Sequence, residues 1–268
     1  MKRHITGFVL AIVALAGIKL APTWAVMLVI VVVALGSVRE MGSLLGGLGK
    51  PPWPIVAHLG TLAAMASFVP GGPPLSAVLL ALIVIVSARA IFSSAGAATC
   101  LERAIGTIVP ALTIGLLTGH LCALLLAPGG IERGRDLMVL TLLVVYAADT
   151  AAYYGGRAMG RHRLAPRISP KKTVEGAVFG LIGAGLTSLL APAWFFRALA
   201  WEQAVALGLA IGLAGMLGDL SESLLKRAAA VKDSGTLLPG HGGLLDRIDS
   251  LLFAAPVVYW YHHYWMAG

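Results

Sequence analysis

Long apolar stretches make up most of this chain, and its charged residues fall mainly in the short segments between them. A stretch of about 17 to 25 apolar residues can cross a bilayer as one helix, whereas soluble cores use shorter, alternating segments. The expected fold class is therefore an all-α polytopic membrane protein. The pattern predicts about nine transmembrane helices, near residues 5–20, 23–38, 54–70, 75–96, 104–127, 137–153, 174–193, 203–221 and 250–266.

The first two stretches are short for a hydrocarbon core that needs about 20 helical residues. They are expected to be tilted, half-inserted or fused into one helix. The sequence also favours a turn near Lys19 to Pro22, which would leave a pair of separate helices.

Composition supports lipid as the solvent for most of the chain. Hydrophobic residues make up 58% of the sequence and charged residues 12%, where soluble domains carry about 25% charged residues. The mean hydropathy of +0.88 agrees and excludes an ordinary soluble enzyme. A net charge of +8 could indicate nucleic-acid binding, but the basic residues lie between apolar spans. Anionic lipid headgroups and membrane topology explain them better, so no nucleic-acid partner is expected.

The distribution of lysine and arginine predicts the orientation, because these residues accumulate at the cytoplasmic ends of membrane helices. With the N-terminus in the cytoplasm, all but four of the 20 basic residues lie on the cytoplasmic side. The outer side keeps Lys19, Arg133, Arg135 and Arg197. The prediction is a cytoplasmic N-terminus and an exoplasmic C-terminus.

The chain is predicted to have two regions. Residues 1–136 are expected to form a scaffold of lipid-facing transmembrane helices. Residues 137–268 are expected to form the catalytic region, with cytoplasmic loops at 154–173 and 222–249.

Acidic residues are scarce, and their placement indicates where chemistry is possible. Two windows, 149–175 and 219–249, are both predicted to open to the cytoplasm. They contain seven of the 12 acidic residues: Asp149, Glu175, Asp219, Glu222, Asp233, Asp246 and Asp249. We expect the two windows to converge on one functional face.

The start of the second window has a helical pattern, in which Asp219, Ser223, Lys226 and Arg227 share one face. This places a carboxylate at membrane depth with cations nearer the cytoplasm. An ionisable residue inside a membrane helix is a functional-site hypothesis by default. Taken alone, Lys226 and Arg227 would be ordinary basic residues whose side chains reach the membrane interface. The hypothesis of a functional site therefore depends on their combination with Asp219 on one helix face.

A glycine-rich loop around His241 follows, and then a predicted helix. Gly240, Gly242 and Gly243 leave the backbone able to approach a phosphate, and the helix start is expected to offer unpaired N–H groups. Asp246 and Asp249 are three residues apart and are expected to project from one side of that helix. With Asp219 facing them, they would supply the oxygen ligands that Mg²⁺ prefers.

The run from Ser223 to Asp249 resembles the signature of the phosphatidate cytidylyltransferases, also called CDP-diglyceride synthases. The shared pattern is S-x-L-K-R-x4-K-D-x-G-x2-L-P-x-H-G-G-L-x-D-R-I-D, with no departure in this chain. The segments from Asp149 to Arg157 and from Ile168 to Gly176 are also similar to the family. The specific resemblance covers roughly residues 145–255.

This resemblance implies an all-helical membrane fold, a homodimer, and a reaction that converts CTP and phosphatidate to CDP-diacylglycerol and pyrophosphate. It also implies a multi-pass protein of a bacterial inner (cytoplasmic) membrane, with the active site facing the cytoplasm.

The site expected for that reaction combines metal-binding carboxylates with cations. Asp219 and Asp246 are predicted to hold Mg²⁺, with Asp249 and Asp149 either as further ligands or as groups that support the ligands, and a second cation is left open. The residues predicted to be catalytic are Asp219, Asp246, Asp249 and Lys226. Substrate phosphates are predicted to contact Lys171, Lys172, Ser223, Arg227, Lys232, His241 and Arg247. Ser169 is expected to cap a helix that starts at Pro170 and points toward an anion.

A cation-coupled membrane transporter or channel is the alternative, because intramembrane carboxylates and glycine-interrupted helices also line ion pathways. The clustering of carboxylates and cations at one predicted cytoplasmic end disfavours it. The pattern D-G-x2-A-R…G-x3-D-x3-D, characteristic of enzymes that join CDP-diacylglycerol to an alcohol, is absent from the sequence.

Overall fold

The computed structural model describes residues 12–235 and 242–266. Helix α1 includes residues 12–20 of this described part. The remaining helices are α2 (Thr23–Gly47), α3 (Pro54–Ala66), α4 (Leu75–Ile91), α5 (Ala97–Leu125), α6 (Ile131–Met159), α7 (Val174–Ser188), α8 (Trp201–Ala228) and α9 (Leu245–Trp265). A short π-helical segment, Ala191–Phe195, follows α7, and a hairpin of β1 (Arg163–Ala165) and β2 (Ser169–Thr173) precedes it.

Each predicted apolar stretch contains helical residues, and the chain is a multi-pass membrane protein. Within the described residues, the segments long and apolar enough to cross a bilayer are Thr23–Gly47, Ala97–Leu125, Ile131–Met159, Val174–Phe195 and Trp201–Ala228. Helices α3 and α4 are shorter, since the proline- and glycine-rich segment 70–74 separates them. The predicted count of nine transmembrane helices is therefore not confirmed, and the orientation stays a prediction.

A break in the helix lies at residues 21 and 22, between α1 and α2. Pro22 cannot continue the helix before it, because it lacks the N–H group and clashes with the preceding turn. The expectation that the first two stretches fuse into one helix is wrong, and the turn near Lys19 to Pro22 is confirmed. Arg135 of α6 donates hydrogen bonds to the carbonyl oxygens of Lys19 and Ala21, at 2.7 Å each.

The chain divides into two compact units. Unit 1 comprises Met1–Val26, Leu124–Leu224 and Ile248–Gly268, and unit 2 comprises Met27–Ala123 and Leu225–Arg247. The division into a scaffold region (1–136) and a catalytic region (137–268) stays a prediction.

In unit 1, glycines allow helices α6 and α7 to pack closely. A Cβ atom at Gly176 would lie 2.8 Å from the carbonyl oxygen of Ala152, and one at Gly183 would lie 2.6 Å from Cβ of Ala151. Small residues are common at such interfaces because they let two backbones approach.

The hairpin between α6 and α7 was not predicted, and it is an exception to the all-α class. Its strands are antiparallel, with Arg163 opposite Thr173 and Ala165 opposite Ser169. The expectation that Ser169 caps a helix starting at Pro170 is wrong, because residues 169–173 pair with β1 as a strand. Thr173 is the N-cap instead, and its Oγ1 accepts a hydrogen bond from the Gly176 N–H at 3.1 Å.

In unit 2, α3, α4 and α5 pack around Trp53. The buried side chains of Leu82, Val86 and Ala111 form this core with Trp53. The Arg89 guanidinium lies over the Trp53 ring, 5.5 Å from its centre. The N-terminal part of the chain therefore has a packed core of its own.

Candidate active site

A cavity of about 520 Å³ lies among α6, α7, α8 and the hairpin, within unit 1. Its polar wall combines carboxylates and cations from three elements: Asp149 and Arg157 of α6, Lys171 and Lys172 of β2, and Asp219 of α8. Much of the remaining wall consists of small residues: Ala148, Ala152, Gly156, Gly176, Ala177, Gly180, Gly212 and Gly215. The structure thus brings together predicted site residues from both sequence windows.

Lys172 and Asp219 form an ion pair at this cavity, in which Lys172 Nζ donates to Asp219 Oδ2. The lysine side chain is 26% exposed and the aspartate side chain 30% exposed. Ser223, one helical turn along α8, donates from Oγ to Asp219 Oδ1 at 3.4 Å. The predicted shared face of Asp219 and Ser223 is confirmed by this contact.

Two more carboxylates are associated with Asp219 in unit 1. Asp149 interacts electrostatically with Asp219, Asp249 and Lys172. A Cβ at Gly218 would lie 2.4 Å from the carbonyl oxygen of Asp249, so the backbones of α8 and α9 touch there. Asp249 itself accepts a hydrogen bond from the Ser250 N–H at 2.6 Å. Three of the four predicted metal ligands therefore belong to one electrostatic group in unit 1.

The fourth predicted ligand, Asp246, lies in unit 2 and is held by several donors. Lys226 Nζ contacts its Oδ1 at 2.5 Å. Its Oδ2 accepts from the Ser234 N–H at 2.9 Å, the Ser234 hydroxyl at 3.0 Å and the Gly243 N–H at 2.7 Å. The side chains of Lys226 and Asp246 are only 14% and 10% exposed, so this charge pair is largely removed from water.

Glu40 of α2, which sequence reasoning missed, joins the same cluster. Its Oε1 accepts from the Leu244 N–H, and its Oε2 accepts from the Leu245 N–H, both at 2.8 Å. The Ser234 hydroxyl lies 2.9 Å from Oε2. Glu40 lies two residues beyond the predicted span 23–38, but α2 continues to Gly47 and carries this carboxylate with it. The signal available in the sequence was an isolated carboxylate in the otherwise apolar N-terminal region, which marks a functional hypothesis by itself.

These contacts correct the expectation that the start of α9 offers unpaired N–H groups to a phosphate. Asp246 takes the Gly243 N–H, and Glu40 takes those of Leu244 and Leu245. The reason is that carboxylates favour the positive end of a helix and satisfy its orphan donors as an anionic ligand would.

Glu175 anchors the hairpin to the first turn of α7. Its carboxylate accepts hydrogen bonds from the Arg161 N–H at 2.9 Å and from Nδ1 of His162 at 2.6 Å. The His162 N–H also donates to it, at 3.2 Å. The hairpin that carries Lys171 and Lys172 is thus fixed at its base.

The other predicted substrate-binding residues lie at exposed positions or outside the described residues. Arg227 is in the last turn of α8, Arg247 is in the first turn of α9, and Lys232 lies in the segment between these helices. All three are exposed. His241 lies outside the described residues, so its predicted role stays a prediction.

The carboxylates of unit 1 fit a magnesium ion that shares its coordination with substrate. Among residues 12–235 and 242–266, no group of three or more His, Cys, Asp or Glu side chains is arranged to hold a metal ion. Mg²⁺ commonly uses only one or two carboxylates, with water and substrate phosphates completing its coordination. Asp149 and Asp219 offer such oxygens to one cavity. Magnesium stays a prediction, as does the pairing of Asp219 with Asp246 around one ion.

Comparison with known proteins agrees with the resemblance. A model of the cytidylyltransferase family matches residues 1–265. The chain is 49% identical over 135 residues to a phosphatidate cytidylyltransferase of Synechocystis sp., covering 50% of this chain and 45% of that protein. It is 45% identical over 127 residues to a phosphatidate cytidylyltransferase of Staphylococcus saprophyticus, covering 47% and 49%.

A third relative has no activity in its name. The chain is 44% identical over 146 residues to the uncharacterized protein YnbB of Escherichia coli, covering 54% of this chain and 49% of that protein. The chain spans about half the length of the curated relatives it matches.

Proposed function

The chain belongs to the cytidylyltransferase family, and from this membership we propose that it transfers the cytidylyl group of CTP to phosphatidate, giving CDP-diacylglycerol and pyrophosphate. The observation that carries the proposal is the cavity of unit 1, where Asp149 and Asp219 lie with Lys171 and Lys172 in a multi-pass membrane protein. The names of the relatives from Synechocystis sp. and Staphylococcus saprophyticus support the same substrate class.

The reaction is a nucleotidyl transfer, in which one anionic substrate attacks the α-phosphorus of another. A phosphate oxygen of phosphatidate attacks the α-phosphorus of CTP and forms a new P–O bond. The bond from that phosphorus to the oxygen bridging the β-phosphate breaks, and pyrophosphate leaves with the electron pair. Such reactions depend mainly on positioning and on offsetting charge, with little proton transfer required.

The cations of β2 would offset the repulsion between the two substrates. An ammonium group has three N–H donors. Lys172 uses one of them on Asp219, so its charge is held at the cavity and its other donors can meet a phosphate oxygen. Lys171 lines the same wall. Fixed donors aimed at developing negative charge are among the strongest contributors to catalysis.

Asp149 and Asp219 would hold Mg²⁺, with Asp249 as a further ligand or as support. When bound, the ion would polarise the phosphate oxygens of CTP and offset the charge that develops on the leaving group. These carboxylates would hold the ion in the same cavity as Lys171 and Lys172, and their negative charges would offset part of the combined positive charge. A second cation stays open.

The lipid substrate requires a site that reaches both the bilayer and water. The acyl chains stay in the bilayer, while CTP arrives from the aqueous side. We place this site at the cytoplasmic face of the inner membrane, and the support for that orientation is the distribution of lysine and arginine along the chain. The homodimer implied by the family resemblance stays a prediction.

The test is transfer of label from α-labelled CTP into the lipid phase by purified full-length protein in liposomes that contain phosphatidate. Labelling that requires Mg²⁺ and is lost in Asp219→Asn would support the proposal. The matched control is Glu202→Gln, which removes an exposed carboxylate from the first turn of the same helix and should retain activity. Absence of labelling by the folded wild-type protein would contradict the proposal, and cation flux in the same liposomes would favour a transporter.

A further inference from the structure

Glu40 is a buried carboxylate of α2, in the part of the sequence predicted to be a lipid-facing scaffold. The residue is 9% exposed. Its two carboxylate oxygens lie within hydrogen-bonding distance of donors from Ser234, Leu244 and Leu245, about 200 positions later in the sequence. A buried charge costs several kcal/mol unless hydrogen bonds compensate it, so this carboxylate depends on those donors.

The backbone around Glu40 fits closely to a carboxylate. A Cβ at Gly235 would lie 2.6 Å from Glu40 Oε1, and one at Gly243 would lie 2.4 Å from Oε2. Both distances are shorter than real Cβ contacts, so no other residue fits at either glycine without a shift. The absence of a side chain at these two glycines leaves room for the Glu40 carboxylate in its present position.

Glu40 also caps the N-terminus of α9, where the adjacent sequence provides no N-cap side chain. The residue before the helix is Leu244, whose side chain has no oxygen to accept the first N–H groups. The Glu40 carboxylate accepts from Leu244 and Leu245 instead. A negative charge at this position also interacts favourably with the helix dipole.

Ser234 links Glu40 to Asp246. The Ser234 hydroxyl lies 2.9 Å from Glu40 Oε2 and 3.0 Å from Asp246 Oδ2, and its single proton can be donated to either. The Ser234 N–H donates to the same Asp246 oxygen. The other oxygen of Asp246 is paired with Lys226. When the hydroxyl donates to Glu40, the Ser234 N–H still binds Asp246, and the hydrogen bonds then run continuously from Glu40 through Ser234 to Asp246 and Lys226.

We infer that Glu40 is a positioning residue, which fixes the N-terminus of α9 and, through Ser234, holds Asp246 and Lys226, both predicted from the sequence to be catalytic. The inference rests on the proposed cytidylyl transfer for its kinetic consequence. Its structural content, the attachment of residues 243–245 to α2, is independent of the reaction.

The central variant is Glu40→Gln, which keeps the size of the side chain but replaces one acceptor oxygen with an NH₂ group. At least one of the Leu244 and Leu245 N–H groups then faces a donor. We expect kcat to fall about 10-fold or more, while KM for CTP changes less than about twofold, because Glu40 positions other residues and does not itself bind substrate. A rise in KM with unchanged kcat would overturn the inference.

The matched control is Ser37→Ala, one turn earlier in the same helix. Ser37 is fully buried and donates to the Val33 carbonyl oxygen at 2.8 Å. This variant should keep the wild-type kcat even where it lowers the melting temperature. An equal loss of kcat in both variants, in proportion to lost stability, would show that Glu40 has only a structural role.

A double-mutant cycle with Ser234→Ala tests the path to Asp246. If Glu40 acts through Ser234, the two variants together should lower kcat by less than the product of their separate effects. If Glu40→Gln does not give folded protein, the kcat of Ser234→Ala alone tests whether Ser234 connects Glu40 to Asp246. A wild-type kcat in that variant would contradict this connection.

Hydrogen exchange separates this inference from the proposed function. If the wild-type protein makes no CDP-diacylglycerol, the proposed function fails, and the attachment is then read from amide exchange in the peptide covering residues 242–247 of the full-length protein. We expect faster exchange there in Glu40→Gln than in Ser37→Ala. Equal exchange in these two variants would overturn the inference whatever the activity.

Discussion

Lys172 of β2 and Asp219 of α8 are joined by a hydrogen-bonded ion pair across 47 residues of sequence. The pair connects the hairpin to the membrane helix at the wall of the unit 1 cavity. One residue was predicted to contact substrate phosphates and the other to hold metal, and the structure makes them direct partners. Each side chain therefore sets the position of the other before any substrate binds.

Replacing Lys172 with methionine should lower label transfer from CTP about 100-fold or more, because it removes a fixed positive charge at the cavity. Lys172→Arg should retain more activity, since it keeps the charge with a different donor geometry. The control is Arg167→Met, in the exposed turn of the same hairpin, which should keep nearly wild-type activity. Equal losses at positions 167 and 172 would indicate a general effect of surface charge instead.

Breaking the Lys226–Asp246 pair should affect stability and turnover differently. Asp246→Asn leaves a largely buried ammonium without its anionic partner and should cost about 2 to 3 kcal/mol of unfolding free energy. Adding Lys226→Met should restore part of that stability without restoring label transfer. Thermal unfolding in detergent and the transfer assay, run on both variants, check the two outcomes. Recovery of turnover in the double variant would show that the pair has a structural role alone.

Removing divalent cations with EDTA should stop label transfer, and adding Mg²⁺ should restore it. Asp149→Asn should raise the Mg²⁺ concentration for half-maximal activity about 10-fold, because it removes an oxygen ligand of the ion. Asp136→Asn is the control, since this carboxylate of the same helix is paired with Lys19 outside the cavity lining. Full activity in EDTA would contradict the role proposed for the metal.

Gly183→Ala should destabilise the contact between α6 and α7 by about 1 to 3 kcal/mol, because the new Cβ would lie 2.6 Å from that of Ala151. Gly185→Ala, in the same helix, is the control. Its Cβ would lie 3.6 Å from Leu209, an ordinary contact, and alanine favours the helix. Unfolding midpoints should therefore fall for position 183 and stay the same or rise for position 185. A smaller effect at 183 than at 185 would contradict the close approach of the helices.

Much of the helical architecture could be predicted from sequence, because long apolar stretches and proline breaks act locally. The helices α6 to α9 begin and end within about 10 residues of the predicted spans. The hairpin could not be predicted this way. Ser169 followed by Pro170 is typical of a helix start, and only pairing with Arg163 to Ala165 makes those residues a strand.

The types of charged residue in the cavity of unit 1 could be predicted from the sequence, but not which of them form ion pairs. The scarcity of carboxylates identified Asp149 and Asp219 of the cavity, and it also identified Asp246 of unit 2. Which cation meets which carboxylate is decided by tertiary packing. Glu40 was missed for the same reason, since its partners Leu244 and Leu245 are more than 200 residues away and contribute only backbone N–H groups.

The glycines along α7 and α8 that line the cavity have a consequence for how this protein can diversify. Where glycines line a wall, its shape is set partly by how closely the helices approach, because no side chain separates their backbones there. A larger residue at Gly176 would meet the carbonyl oxygen of Ala152 before it altered the chemistry of the cavity. Changes of substrate preference should therefore arise mainly at the wall positions that carry larger side chains, while the glycine positions tolerate little substitution.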